Sequence, residues 1–150
     1  MRVFEGLDQV ENAIGEHLGF SDWMEITQER VDAFAEATGD HQWIHVDPAR
    51  AAEGPYGSTI AHGYLTLSLL PVLGADVMDI RGFRMMINYG LGKVRFPAPV
   101  RVGSRIRAGV ELASLERTPS GAKLTSVVTI EVEGGGRPAV VAEAIRLMVE

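Results

Sequence analysis

The chain has 150 residues, 46% of them hydrophobic and 23% charged, with a formal net charge of −6. One domain spanning residues 1–150 is the natural expectation, with enough apolar residues to bury a core and no disordered composition. The acidic balance and absence of a basic run argue against nucleic-acid binding. The lack of cysteine excludes disulfides, thiolate catalysis and Cys-based zinc sites.

No long apolar stretch follows Met1, so no signal peptide is expected. The most apolar segment, Tyr64 to Leu73, is too short to span a bilayer. A soluble, cytoplasmic protein without a membrane partner is expected.

Leu7, Val10, Ala13, Ile14 and Leu18 have helical spacing, which predicts a first helix from Leu7 to Leu18. Trp23 to Ile26 reads as a short strand. Thr27 is placed as an N-cap, and Val31, Phe34, Ala35 and Thr38 form one face of a second helix. Gly39 ends that helix by supplying a left-handed residue. Asp47 followed by Pro48 starts another short helix, which runs to Glu53 before Gly54-Pro55 breaks it.

Between these helices lie Asp40 and His45. Neighbours on a helix surface are three or four residues apart, so a five-residue spacing points the pair apart on a regular helix. A constrained loop between two anchored helices can instead bring the carboxylate and the imidazole to one point. Trp43 and Ile44 should bury that loop. Taken singly, Asp40 reads equally well as a turn residue bonding its own backbone, and His45 as a packing residue.

Gly63 to Leu70 is apolar nearly all round, which predicts a buried helix, kinked or ended by Pro71 and finished at Gly74. The second half changes period. Phe83 to Val100 reads as extended, with a bulge at Gly90-Leu91-Gly92. Ile106, Ala108, Val110 and Leu112 alternate with polar residues, as do Leu124, Ser126, Val128, Ile130 and Val132. Turns are expected at Pro119-Ser120-Gly121 and Gly134-Gly135-Gly136, and Val141 to Val149 is the last strand. Helices followed by consecutive strands make an α+β pattern. The buried helix needs a cover, and the remaining apolar surface is the sheet. A curved antiparallel sheet wrapped around that helix is the economical architecture.

Phe34-Ala35-Glu36-Ala37-Thr38-Gly39-Asp40, His45, Asp47-Pro48, Ala51 and Ala61-His62-Gly63-Tyr64-Leu65 together resemble the MaoC-like hydratases. Asn88-Tyr89-Gly90 and Val94 to Val100 extend the resemblance over most of the chain. Where the family usually carries Asn-Pro between the Asp and the His, this chain has Gln42-Trp43.

The resemblance implies the hot dog fold and (R)-specific hydration of trans-2-enoyl-CoA. It implies Asp40 and His45 as the catalytic pair on one water, and the Gly63 N–H as oxyanion donor. Gln42, Trp43, Tyr64, Asn88 and Arg95 are then expected to bind substrate, and a homodimer is expected. His62 is expected to be a packing residue. Seven of the 14 Lys and Arg residues fall between Arg81 and Arg107, where coenzyme A phosphates could draw on them. No cofactor and no metal are expected: the four His are scattered, with only His41 and His45 four residues apart, and no Gly-rich phosphate loop follows a strand. The alternatives are a hot dog acyl-CoA thioesterase and a non-catalytic acyl-binding subunit.

Overall fold

The computed structural model describes residues 1–150, and its framework is a six-stranded antiparallel sheet. The chain runs β1 (Arg2–Glu5), α1 (Leu7–Asn12), β2 (His17–Phe20), β3 (Met24–Glu25), α2 (Gln28–Thr38), α3 (Trp43–Val46) and α4 (Pro48–Ala52). It continues with α5 (Gly63–Ser68), α6 (Leu70–Val77), β4 (Met78–Arg81), β5 (Met85–Arg95), β6 (Arg105–Thr118), β7 (Gly121–Val132) and β8 (Val140–Val149). The sheet order is β2-β6-β7-β8-β5, and β3 adds to β6.

Alternation decides which face of the sheet is buried. Ile106, Ala108, Val110 and Leu112 on β6 are at most 1% exposed. Opposite them stand Val132, Ile130, Val128 and Ser126 on β7. Leu65 of α5 and Leu70, Leu73 and Val77 of α6 belong to the same core cluster. The α5–α6 rod therefore lies against the concave face, as expected of an α+β hot dog fold. The bulges in β5 fall between Asn88 and Gly90 and between Leu91 and Val94, where the glycines led us to expect one.

Three elements differ from the sequence reading. The first helix stops at Asn12, and His17–Phe20 is a strand on β6. Val10 and Ala13 are fully buried, so the apolar spacing is used, but Gly15 at φ +90° turns the chain and its N–H donates to the Leu112 carbonyl. The central helix breaks at Leu69 and continues past Gly74 to Val77. Pro71 sits in the first turn of α6, where no N–H is needed, so it restarts the helix rather than ending it. That rod is also amphipathic: Leu65, Leu69, Leu73 and Val77 are buried, while Tyr64 is 71% exposed. A short parallel pair, β1 with β4, had no signal in either segment.

Gly121 opens β7 at φ +148°, and a Cβ there would come within 1.8 Å of the Met148 carbonyl oxygen. Gly134 has φ +73° but open space around it. Gly121→Ala is expected to cost more than about 3 kcal/mol in urea unfolding, because backbone must move. Gly134→Ala should cost only about 1 kcal/mol, the left-handed penalty alone. Equal losses at the two positions would contradict this account.

Candidate active site at the Asp40–His45 turn

The turn is held from both ends. Thr27 caps α2, its Oγ1 accepting the Arg30 N–H at 3.2 Å, and Gly39 closes it at φ +83° with its N–H on the Ala35 carbonyl at 2.8 Å. Asp40 Oδ1 accepts the Gln42 N–H at 3.3 Å, which folds the turn back on itself. Residues 43–46 are not loop but one helical turn, with His45 in it. Asp47 then caps α4 by accepting the Arg50 N–H at 3.1 Å, ahead of Pro48.

His45 is 6% exposed. Its Nδ1 lies 2.7 Å from the Ile60 carbonyl oxygen. A carbonyl can only accept, so Nδ1 carries the hydrogen and Nε2 keeps its lone pair in the neutral ring. Burial pushes this imidazole below its ordinary value. The nearby His62 adds to that, while the Ile60 carbonyl and Asp40 work against it.

A carboxylate oxygen of Asp40 and one ring nitrogen each of His45 and His62 lie within 4.8 Å of one another. Asp40 is solvent-exposed, whereas both imidazoles are buried. Three such groups could in principle hold a cation. An ion must sit near 2.1 Å in the plane of each imidazole that binds it. The two rings are stacked, centroids 3.8 Å apart and planes 24° from parallel, so their lone pairs do not converge on one ion.

His62 does more than pack. Its Nε2–H donates to the Asp40 carbonyl at 2.9 Å, and its ring also meets Phe34 at 5.0 Å. Its Nδ1 is buried with no hydrogen-bond partner, so the expectation of an ordinary packing residue is only half right. Gln28 is the first residue of α2. Its Nε2 donates to the His45 carbonyl at 2.8 Å and its Oε1 accepts the Thr59 hydroxyl at 2.6 Å. A glutamine in a first turn carries no sequence signal for such a brace.

Gly63 opens α5, and its N–H has no carbonyl one turn earlier within the helix to bond. It shares a cavity of about 340 Å³ with His45, Thr66, Phe96, Pro97 and Val100. A Cβ on Gly63 would lie 3.2 Å from the Phe96 ring, so glycine leaves the backbone amide approachable.

None of the expected substrate-binding residues lines this cavity. Tyr64 stands exposed at its rim, edge-on to Phe96 at 6.2 Å. Trp43 stacks under the Arg50 guanidinium at 4.3 Å and abuts Gly54, a structural placement away from the cavity wall. Gln42 is an exposed N-cap. Arg95 is exposed and bonds the Val94 carbonyl. Asn88 lines a second cavity farther along the helices. Of the seven basic residues between Arg81 and Arg107, Arg81, Arg105 and Arg107 are paired with carboxylates.

This arrangement can be set beside known proteins. A family model described as MaoC like domain matches residues 9–133. The chain is 56% identical over 146 residues to the 3-hydroxyacyl-thioester dehydratase Z of Mycobacterium tuberculosis, covering 97% of each. It is 47% identical over 145 residues to the Nodulation protein N of Rhizobium leguminosarum bv. viciae, covering 95% of this chain and 90% of that one. It is similar in structure to the (R)-hydratase from A. caviae involved in PHA biosynthesis, with TM-score 0.73 and 28% identity over 90% of this chain and 96% of that one. With the family match spanning most of its length, the chain belongs to the MaoC-like family of hydratases and dehydratases.

Proposed function

We propose that the protein is an (R)-specific hydratase of trans-2-enoyl-CoA thioesters, reversibly forming (R)-3-hydroxyacyl-CoA by syn addition of water. The observation that carries this reading is the fixed tautomer of His45. With Nδ1–H committed to Ile60, only Nε2 is free to take a proton, beside Asp40 and in the cavity shared with Gly63.

The chemistry follows from those atoms. A water between the Asp40 carboxylate and His45 Nε2 attacks C3 and gives up a proton. The electrons of the double bond move onto the thioester, whose oxygen becomes enolate-like. The Gly63 N–H stabilises that charge, a contribution of about 3 kcal/mol for such a donor. C2 then takes a proton from the same side. The lowered pKa of His45 keeps the ring neutral, and able to act as a base, at neutral pH.

We also infer that two copies form the working unit. β5 is an edge strand of 11 residues, paired only with β8. Met85, Ile87, Tyr89 and Leu91 on it are each at least 40% exposed, and Tyr64 and Val72 on the rod are exposed as well. A long edge with an apolar surface invites strand pairing with a second copy. The apolar composition that suggested a fully buried rod then fits the dimer instead of the single chain.

Three measurements test these points. Asp40→Asn and His45→Gln should each lower kcat/KM for crotonyl-CoA or a longer homologue by about a hundred- to ten-thousand-fold. The assay follows loss of the enoyl-thioester absorbance, and near-wild-type rates in both variants would defeat the reading. The acid limb of kcat/KM should have its midpoint below 6.5, the ordinary His value, because protonation of His45 removes the base and its pKa is lowered; a midpoint above that value counts against His45 as the base. Light scattering should report a dimer for the wild type and a monomer for Ile87→Lys, and a monomeric wild type overturns the two-copy unit.

A further inference from the structure

A second cavity, of about 430 Å³, lies farther along the α5–α6 rod, with Leu67, Leu70, Pro71, Asn88, Leu91 and Arg146 among its lining residues. Arg146 is out of place there. Arg146 is half-buried, and of the residues of its parity on β8, Val140, Ala142 and Met148 are buried and Ala144 is half-buried on the core face. Its cross-strand neighbours are Leu124 on β7, 1% exposed, and Asn88 on β5. Its Nη2 is 3.6 Å from where a side chain on Gly74 would begin, so the guanidinium points at α6.

This arginine has no anion. Arg81, Arg105, Arg107 and Arg117 each face an Asp or Glu, and Arg146 faces none within salt-bridge reach. No Asp or Glu lines the cavity. Burial pushes its guanidinium below the ordinary value, with no carboxylate acting the other way. An inward strand position normally carries an apolar side chain, and a half-buried cation without a partner is partly desolvated at a cost to the fold. Positions that break local rules in this manner mark function. Asn88 adds an amide donor beside it.

We propose that this cavity receives the far end of the acyl chain and that Arg146, with Asn88, binds a terminal carboxylate there, making mono-CoA thioesters of dicarboxylic acids the preferred substrates. The proposal rests on the enoyl-thioester reading above. Gly63 and Thr66 border the first cavity, and Leu67 and Leu70 border the second. Gly63, Thr66 and Leu67 are at i, i+3 and i+4 on one stripe of α5, and Leu70 opens α6 just past the break at Leu69. From Gly63 to Leu70 is about 10 Å at 1.5 Å per residue, the reach of a medium-length acyl chain. The leucines suit its methylenes, and a planar guanidinium suits a carboxylate.

The test separates binding from turnover. Octanoyl-CoA and suberoyl-CoA, its counterpart with a terminal carboxyl, are saturated and cannot be hydrated. Calorimetry with the wild type should find suberoyl-CoA bound about ten-fold or more tightly. Arg146→Met should lose that preference while binding octanoyl-CoA at least as well, and Arg146→Lys should keep part of it. Arg146→Met should also melt no lower than the wild type, since it removes an unpaired charge; if it fails to fold, Arg146→Lys carries the comparison. Equal weakening of both ligands would mean that Arg146 holds a coenzyme A phosphate, and overturns the proposal. Dissociation of the dimer with no change in preference would mean that it holds a carboxylate of the second copy, and overturns it too, as does no preference in the wild type. Turnover of the matching trans-2-enoyl pair is measured separately: if neither is hydrated the hydratase reading fails, while the binding data still decide the role of Arg146.

Discussion

The hydrogen bond from His45 Nδ1 to the Ile60 carbonyl is the contact on which the site depends. It reaches 15 residues along the chain and selects the tautomer. It also requires that Ile60 be held still, and the backbone does this on two sides. The Ile60 N–H donates to the Ile44 carbonyl, which ties it to the turn carrying His45. The Ala61 N–H donates to the Val100 carbonyl and the Val102 N–H to the Thr59 carbonyl, which ties it to the linker between β5 and β6. Ile60 also bridges Arg101. The imidazole is thereby referenced to the sheet rather than to its own one-turn helix, and a four-residue helix alone could not fix a ring.

From the same anchored segment the chain passes directly into His62 and Gly63. His62 reaches back to the Asp40 carbonyl, so both ends of the Asp40–His45 turn are bonded to one extended stretch, residues 60–62. Gly63 follows as the first helical residue. The proposed acid–base groups and oxyanion donor are therefore positioned by a few consecutive peptide units. The brace from Gln28 to the His45 carbonyl completes the frame from α2.

Much of this was legible from local chemistry. Thr27, Gly39, Asp47 and Pro48 act in the structure as their residue types dictate at helix ends, because capping is decided within a few residues. The strands β6 and β7 were legible because one face is core and the other is not. What was not legible depends on partners distant in sequence. The Ile60 carbonyl, the Gln28 brace and the stacking of His62 on His45 involve backbone or residue types with no pattern of their own. The rod from Gly63 was misread as buried all round for a related reason: apolar composition reports that a surface is covered, not what covers it. Leu18 likewise has helical spacing from Val10 and Ile14 but completes a strand, since Gly15 interrupts the chain between them.

Two kinds of exception remain in an otherwise well-satisfied interior, and their placement is informative. The one buried side-chain polar atom without a hydrogen-bond partner is His62 Nδ1, beside the His45 ring. The arginine lowered by burial without a carboxylate is Arg146, at the wall of the second cavity. An unpaired buried polar group costs roughly 1–3 kcal/mol, which applies in full to His62 Nδ1 and only in part to the half-buried Arg146. Neither group is needed to form the sheet or the rod: Leu124 and Met148 beside Arg146 show what that position would hold if packing alone decided it. His62 stacks on His45 beside the first cavity and Arg146 lines the second, the two ends of the path proposed for the acyl chain. On the proposed reading, a bound substrate would give each of the two groups the polar partner that the fold withholds.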